Sequence, residues 1–220
     1  MMRPSLEMTW DYFNCQKEVR LRSMAVGNEM DKGVFFNLIK SQRSQESYAI
    51  IKNFSRQIER HDYNHDGLSK AQYLAHPYRV ATLLVEQLPE VDDSFIKLAL
   101  CHNVIEVSEL SAGLINDLGS EMLKYVEVLT VDRSRQWDWD YKKGYYEKIG
   151  LDRITRTIKV FDKLDNLYIL SENSDSKVKI KYLEEITDHL MPFVVSDFPN
   201  LKGHFETIIK FNYQLIKNIV

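Results

Sequence analysis

Glycine and proline are scarce in this chain, which has 8 glycines and 5 prolines among 220 residues. Glycine and proline supply most turns and interrupt helices, so a protein built of many short strands and tight turns is not expected. Apolar residues instead recur mostly three and four positions apart, which is the spacing of one helix face. The sequence therefore predicts an all-α fold.

Cysteine is nearly absent, because the chain contains only Cys15 and Cys101. Two cysteines cannot build a disulfide framework, and Cys101 lies within an apolar helical segment where a small reduced side chain is expected. This usage favours a reducing compartment, and we expect a cytoplasmic protein.

Long apolar runs and a strong net charge are also missing. No segment approaches the roughly 20 apolar residues of a membrane span, and the N-terminal region carries Glu7 and Asp11 where a secretory leader would be basic and then apolar. The formal charge of −3 provides no overall basic field. We expect neither a membrane protein nor one that coats nucleic acid in bulk.

A chain of this length with 44% hydrophobic residues can bury one substantial core. Residues 1–50 consist of polar amphipathic segments and end in a weak polar stretch. We predict an N-terminal helical extension over residues 1–50 and a main helical domain over residues 51–220.

Two serines indicate where helices begin. Ser69 and Ser94 each precede an apolar run, and a serine hydroxyl can accept hydrogen bonds from the free amides of a first helical turn. We also expect His76 and Pro77 to lie at a helix start, because proline tolerates the first turn well. If His76 is not a metal ligand, we expect it to act as a capping or hinge residue.

A second histidine, His102, lies in an apolar segment predicted to be one helix. At about 100° per residue, Ala99, His102 and Glu106 share one face of that helix. A buried imidazole and a buried carboxylate both need partners, since unpaired burial costs several kcal/mol. Either His102 and Glu106 pair with each other, or His102 contributes to a metal site.

Two aspartates accompany an apolar stripe on the predicted helix from about residue 151 to residue 170. Asp162 and Asp165 fall in or beside this stripe. Neighbouring carboxylates repel each other unless a positive charge lies close by. A divalent metal would remove the conflict, and lysines are the alternative.

The adjacent sector of the same helix is basic. Arg156, Lys159 and Lys163 follow one another at three- and four-residue spacing, and Asn166 lies close to them. Such a row can hold phosphate oxygens beside a metal. The alternative is a solvated basic face.

Three segments carry a resemblance to a known family: residues 76–81 with their His-Pro start, residues 101–106 with a His-Asn pair, and residues 159–166. Together they resemble the HD-domain metal-dependent phosphohydrolases. The hydrolase domain of the RelA/SpoT-type alarmone enzymes and its small stand-alone relatives are the most similar branch. The resemblance covers roughly residues 58–193 and implies an HD-domain helical bundle.

The resemblance implies a metal site and a role for its neighbours. Its metal ligands, carried onto this chain, are His76, His102, Asn103 and Asp162. The implied cofactor is a divalent metal, usually Mn²⁺ in this branch. Glu106 matches a catalytic acidic residue near the attacking water.

The same resemblance and the basic sector imply substrate contacts. Asn166 matches a family asparagine at the pocket, and Lys159 and Lys163 are the predicted phosphate-binding side chains. The expected partner is a small nucleotide or a related phosphate ester, with a guanosine tetraphosphate-like molecule as the first candidate.

Two positions depart from the family pattern. Asn103 stands where the family has an aspartate, and Val107 stands where the alarmone hydrolases have an acidic residue. A neutral amide oxygen should hold a divalent metal less tightly than a carboxylate. Two functions therefore remain open: a metal-dependent phosphohydrolase, and a degenerate HD module that binds a nucleotide or a partner without turnover. A homo-oligomer formed through the N-terminal helices is a further alternative.

Overall fold

The computed structural model of the protein describes residues 6–61, 63 and 68–217, with the side chains of all but residues 6–10 and 26. Within these ranges every regular element is helical and no strand occurs, which confirms the predicted all-α class. None of the helices in the described part of the chain is long and apolar enough to cross a membrane.

The helices are numbered in chain order. The α-helices are α1 (Leu6–Val26), α2 (Glu29–Gln42), α3 (Gln45–Ile58), α4 (Lys70–Gln87), α5 (Asp93–Cys101), α6 (Val104–Val107), α7 (Ala112–Leu129), α8 (Trp139–Gly150), α9 (Arg153–Ile169), α10 (Ser176–Glu185), α11 (Met191–Asp197) and α12 (Lys202–Lys217). Short 3₁₀ turns lie at Arg133–Arg135 and Leu170–Glu172, and one π-helical turn lies at Ile186–Leu190.

Helix α4 begins where its serine cap was predicted. The Ser69 hydroxyl accepts from the Gln72 amide at 3.3 Å, and the Gln72 side chain accepts from the Ser69 amide at 2.9 Å. This reciprocal capping box satisfies two amides at the start of the helix. It also makes the predicted helix start at His76 and Pro77 wrong, because both residues lie about two turns inside α4.

The predicted start of the next helix at Ser94 is also wrong. Helix α5 begins at Asp93, and its cap is Asp92, whose backbone is extended at φ −66° and ψ 155°. The Asp92 side chain makes no capping hydrogen bond, so α5 begins without the side-chain acceptor that was expected of Ser94.

By their contacts, the described residues form two compact units, one within Met1–Arg22 and Lys163–Val220 and the other within Ser23–Asp162. The predicted boundary at residue 50 falls inside α3 and within the second unit. The division into residues 1–50 and 51–220 stays a prediction.

The core of the unit Ser23–Asp162 is formed around α4 and α5. Helices α2 and α5 pack on α4, while α3 packs on both α2 and α5, and α7 contacts α3, α5 and α8. Completely buried side chains at these contacts include Phe35, Ile39, Ile51, Leu84 and Ile96. Each such side chain contributes roughly 1.5–3 kcal/mol of apolar burial. This packing fixes the helices that carry His76 and His102.

The other unit contains a buried ion pair between its two chain segments. Arg20 of α1 donates from Nε to Asp165 Oδ1 at 2.8 Å, and its guanidinium lies 4.2 Å from the ring centroid of Tyr168. Both charged side chains are almost completely buried. The positive charge that Asp165 requires is therefore supplied by an arginine of the first helix.

Helix α7 is interrupted at Gly119, which adopts φ 72° and ψ 162°. This conformation is accessible almost only to glycine. A Cβ built at Gly119 would meet no atom within 4 Å, so the backbone alone demands glycine there.

We expect Gly119→Ala to lower the free energy of unfolding by about 1–3 kcal/mol, because alanine is strained in this backbone region. Chemical denaturation would measure the change. The matched control is Gly33→Ala in the interior of α2, where the space is equally open and φ is helical. That control should raise the free energy of unfolding by about 0.5–1 kcal/mol. Equal effects of the two substitutions would contradict the backbone argument.

Candidate metal centre

Three predicted ligands from distant parts of the sequence converge in the unit Ser23–Asp162. His76 lies in α4, His102 directly follows α5, and Asp162 lies in α9. One potential ligand atom of each lies within 4.8 Å of those of the other two. Asp162 Oδ1 is 3.3 Å from His76 Nε2 and 3.8 Å from His102 Nε2.

The protonation of His102 suits metal binding. Its Nδ1 lies 2.7 Å from the carbonyl oxygen of Ala99, and because a carbonyl only accepts, Nδ1 must carry the proton. In the neutral ring Nε2 then presents a lone pair, which is the usual arrangement of a metal-binding histidine. This Nε2 is buried and has no hydrogen-bond partner among the described residues. The three side chains therefore fit a divalent cation.

The predicted continuous helix through His102 and Glu106 is wrong. Helix α5 ends at Cys101 and α6 begins at Val104, so the His102–Asn103 pair lies in a break between them. Glu106 consequently does not pair with His102. Its carboxylate accepts from the Val131 amide at 3.0 Å and from Arg133 Nη2 at 2.5 Å.

Asp162 is a buried carboxylate that is held ionised. Burial alone would raise its pKa, but the charge of Lys159, together with the neighbouring imidazoles, outweighs burial and holds the pKa well below its usual range. Lys159 Nζ contacts Oδ2 at 2.9 Å. Since the histidines face Oδ1, the two oxygens of this carboxylate have different partners.

Lys159 is buried beside this carboxylate. The alternative prediction of a solvated basic face is therefore wrong for this residue. Only 4% of the residue is exposed, and Nζ lies 5.4 Å from the ring centroid of Tyr145. Burial alone would lower the pKa of Lys159, but the charge of Asp162 reverses this and keeps the ammonium protonated.

The other predicted substrate contacts also lie on α9. In the unit that contains it, Lys163 is buried, with Nζ 2.9 Å from Glu185 Oε1 and 4.2 Å from the Tyr182 ring centroid. Asn166 is half-buried. The substrate-binding roles of Lys159, Lys163 and Asn166 stay predictions.

Asn103 follows His102 in the break between α5 and α6. It is half-buried, it precedes α6, and its side chain makes no capping hydrogen bond to that helix. Its role as a fourth ligand stays a prediction. A neutral oxygen here leaves Asp162 as the single carboxylate in the predicted ligand set.

Sequence reasoning missed Arg133 as a residue of this region. Arg133 lies in the 3₁₀ turn between α7 and α8, 27 positions after Glu106, whose carboxylate it contacts. No helical periodicity connects residues so far apart in the chain. The available signal was weaker: a buried Glu106 requires a cation or a donor.

The comparisons with known proteins concern the fold. No protein-family profile matches the sequence, and no curated protein is significantly similar to it. Among solved structures, the chain is similar to a metazoan ortholog of SpoT that hydrolyses ppGpp and plays a role in starvation responses, with a TM-score of 0.57 and 21% sequence identity. The match covers 76% of this chain and 95% of that one. The chain thus shares the all-α fold of that hydrolase.

We expect His102→Ala to remove bound metal, because the substitution deletes a buried nitrogen lone pair at the centre of the cluster. Metal analysis of protein incubated with Mn²⁺ and then desalted would measure it. The control is His61→Ala, since His61 pairs with Asp117 outside the cluster and its removal should leave the metal content unchanged. A normal metal content in a folded His102→Ala protein would contradict the ligand assignment.

We expect Asn103→Asp to tighten Mn²⁺ binding by about tenfold or more, because an anionic oxygen replaces a neutral one. Asn103→Ala should weaken binding, since it removes the amide oxygen altogether. Calorimetric titration of metal-free protein with Mn²⁺ would measure both changes. Identical affinities for all three proteins would show that Asn103 is not a ligand.

Proposed function

We propose that this protein is a metal-dependent phosphohydrolase of the HD type. The observation that carries the proposal is the buried Nε2 lone pair of His102, which lies beside His76 and Asp162 without a hydrogen-bond partner in the described part of the chain. A divalent cation is the partner that two imidazoles and one carboxylate accommodate best. The HD-domain fold supports the same conclusion.

The proposed ligands are His76, His102, Asn103 and Asp162, and the proposed cofactor is Mn²⁺. A divalent cation bound there would lower the pKa of a water molecule and neutralise charge on a phosphate. The substrate we propose is a nucleotide or related phosphate ester, with (p)ppGpp-like pyrophosphate hydrolysis as the first candidate. This choice is supported by the sequence resemblance and by the activity of the structurally similar metazoan protein.

The chain's own residues supply orientation and charge. Lys159 holds Oδ2 of Asp162, so the carboxylate presents Oδ1 towards the two imidazoles. We propose Glu106 as the catalytic acidic residue near the attacking water. Lys159, Lys163 and Asn166 are the proposed substrate contacts.

A second candidate function is a degenerate HD module that binds a nucleotide or a partner without turnover. Two residues favour it: Asn103 carries no charge, and Val107 is apolar and buried where the alarmone hydrolases have an acidic residue. Loss of either acid would lower the rate of hydrolysis more than it lowers phosphate binding.

The proposed location is a reducing cytoplasm, supported by the two free cysteines, Cys15 and Cys101. We also propose, as an alternative to a single chain, a homo-oligomer formed through the N-terminal helices.

We expect the Mn²⁺-loaded protein to release phosphate or pyrophosphate from at least one member of a nucleotide panel that includes guanosine polyphosphates and dinucleotides. Chromatography of the products would identify the bond that is cut. The matched control is His102→Ala, which should release nothing. If no member of the panel is hydrolysed by either protein but nucleotides bind, the non-catalytic module is the correct function.

A further inference from the structure

Glu106 holds one face of an arginine at the candidate metal centre. The Glu106 side chain is 6% exposed, and its two oxygens accept from different donors. Oε1 accepts from the Val131 amide at 3.0 Å, and Oε2 accepts from Arg133 Nη2 at 2.5 Å. Val131 precedes Arg133 by two residues, so the carboxylate fixes both the backbone and the side chain of this segment.

The rest of the Arg133 guanidinium is open to solvent. The side chain is 59% exposed, and among the described residues only Glu106 accepts a hydrogen bond from it. A guanidinium carries five N–H donors in a rigid plane. One contact to Glu106 therefore leaves several directed donors without a protein acceptor, which is an arrangement suited to binding an anion.

Glu106 places Arg133 near the proposed ligands, because α6, which carries Glu106, begins two residues after His102. Burial alone would lower the pKa of Arg133, but the charge of Glu106 raises it, and Tyr73 and Asp162 add smaller contributions. Tyr73 precedes His76 by one turn in α4. The exposed donors thus belong to a cation that is held by the segment directly following His102 and Asn103.

The charges around the candidate metal centre favour the binding of an anion. The carboxylates of Asp162 and Glu106 are each paired with one cation, Lys159 and Arg133 respectively. With Asn103 neutral, the addition of a divalent cation leaves the group with excess positive charge. A phosphate or pyrophosphate would neutralise that excess.

We propose that Arg133 is a substrate-contacting residue, which binds phosphate oxygens at the metal centre while Glu106 and the Val131 amide hold it in place. The inference rests on the proposed function for the presence of a phosphate at this centre, and it assigns to Glu106 the additional role of an anchor.

The test is calorimetric binding of inorganic pyrophosphate to the Mn²⁺-loaded protein at a fixed free Mn²⁺ concentration. Arg133→Gln should weaken binding about tenfold or more, because a charge-assisted contact is replaced by a neutral one. Arg133→Lys should recover part of the loss, since it retains the charge but not the planar fork. Both variants should stay folded with the wild-type Mn²⁺ content, although Arg133→Gln removes the charge that neutralises the buried Glu106 and should lower the unfolding temperature.

Arg135→Gln is the matched control for the general loss of positive charge. Arg135 lies in the same turn, its side chain is 52% exposed, and it pairs with Asp138 rather than with Glu106. Its substitution should leave pyrophosphate affinity unchanged.

Four results would overturn the inference: no pyrophosphate binding by the wild type, unchanged affinity in Arg133→Gln, an equal loss in Arg135→Gln, or loss of Mn²⁺ from Arg133→Gln. Hydrolysis of the nucleotide panel distinguishes failure of the Arg133 inference from failure of the proposed function. Arg133-dependent binding without hydrolysis would refute the enzyme and support the inference, whereas hydrolysis with Arg133-independent binding would do the reverse.

Discussion

The candidate site depends on one buried carboxylate, Asp162. A carboxylate removed from water must be neutralised, and Lys159 does so at Oδ2 of Asp162, while Oδ1 faces His76 and His102. The contact to Lys159 restricts the rotation of the carboxylate. It therefore decides which oxygen is directed to the place where the two imidazole nitrogens converge.

The buried carboxylates of Asp165 and Glu106 also need a neutralising charge, and they obtain it in different ways. Asp165 is neutralised by Arg20 within its own unit. Glu106 is neutralised by an arginine that is itself largely exposed. The pair of Arg20 with Asp165 is buried on both sides, whereas Arg133 is largely exposed beside Glu106, which leaves its remaining donors accessible to solvent.

The sequence predicted the helical class correctly and named three side chains that converge in the structure, whose role as metal ligands stays a prediction, but it misplaced local details. Periodicity extended one helix through His102 and Glu106, whereas the structure breaks that helix at Asn103. Propensity placed Pro77 in a first turn, although the capping box at Ser69 begins the helix two turns earlier. In both cases a local rule was correct for an isolated segment and was overridden by a stronger neighbouring constraint.

The sequence by itself determined the all-α class, because apolar spacing is a local property, and its family resemblance pointed to His76, His102 and Asp162 as metal ligands. Only the tertiary structure decided the partners of the charges. Glu106 and Arg133 are 27 residues apart, and Arg20 and Asp165 are 145 residues apart. The requirement for a partner is evident from burial in one segment, but the identity of the partner depends on which distant segment packs against it, and no local pattern records that choice.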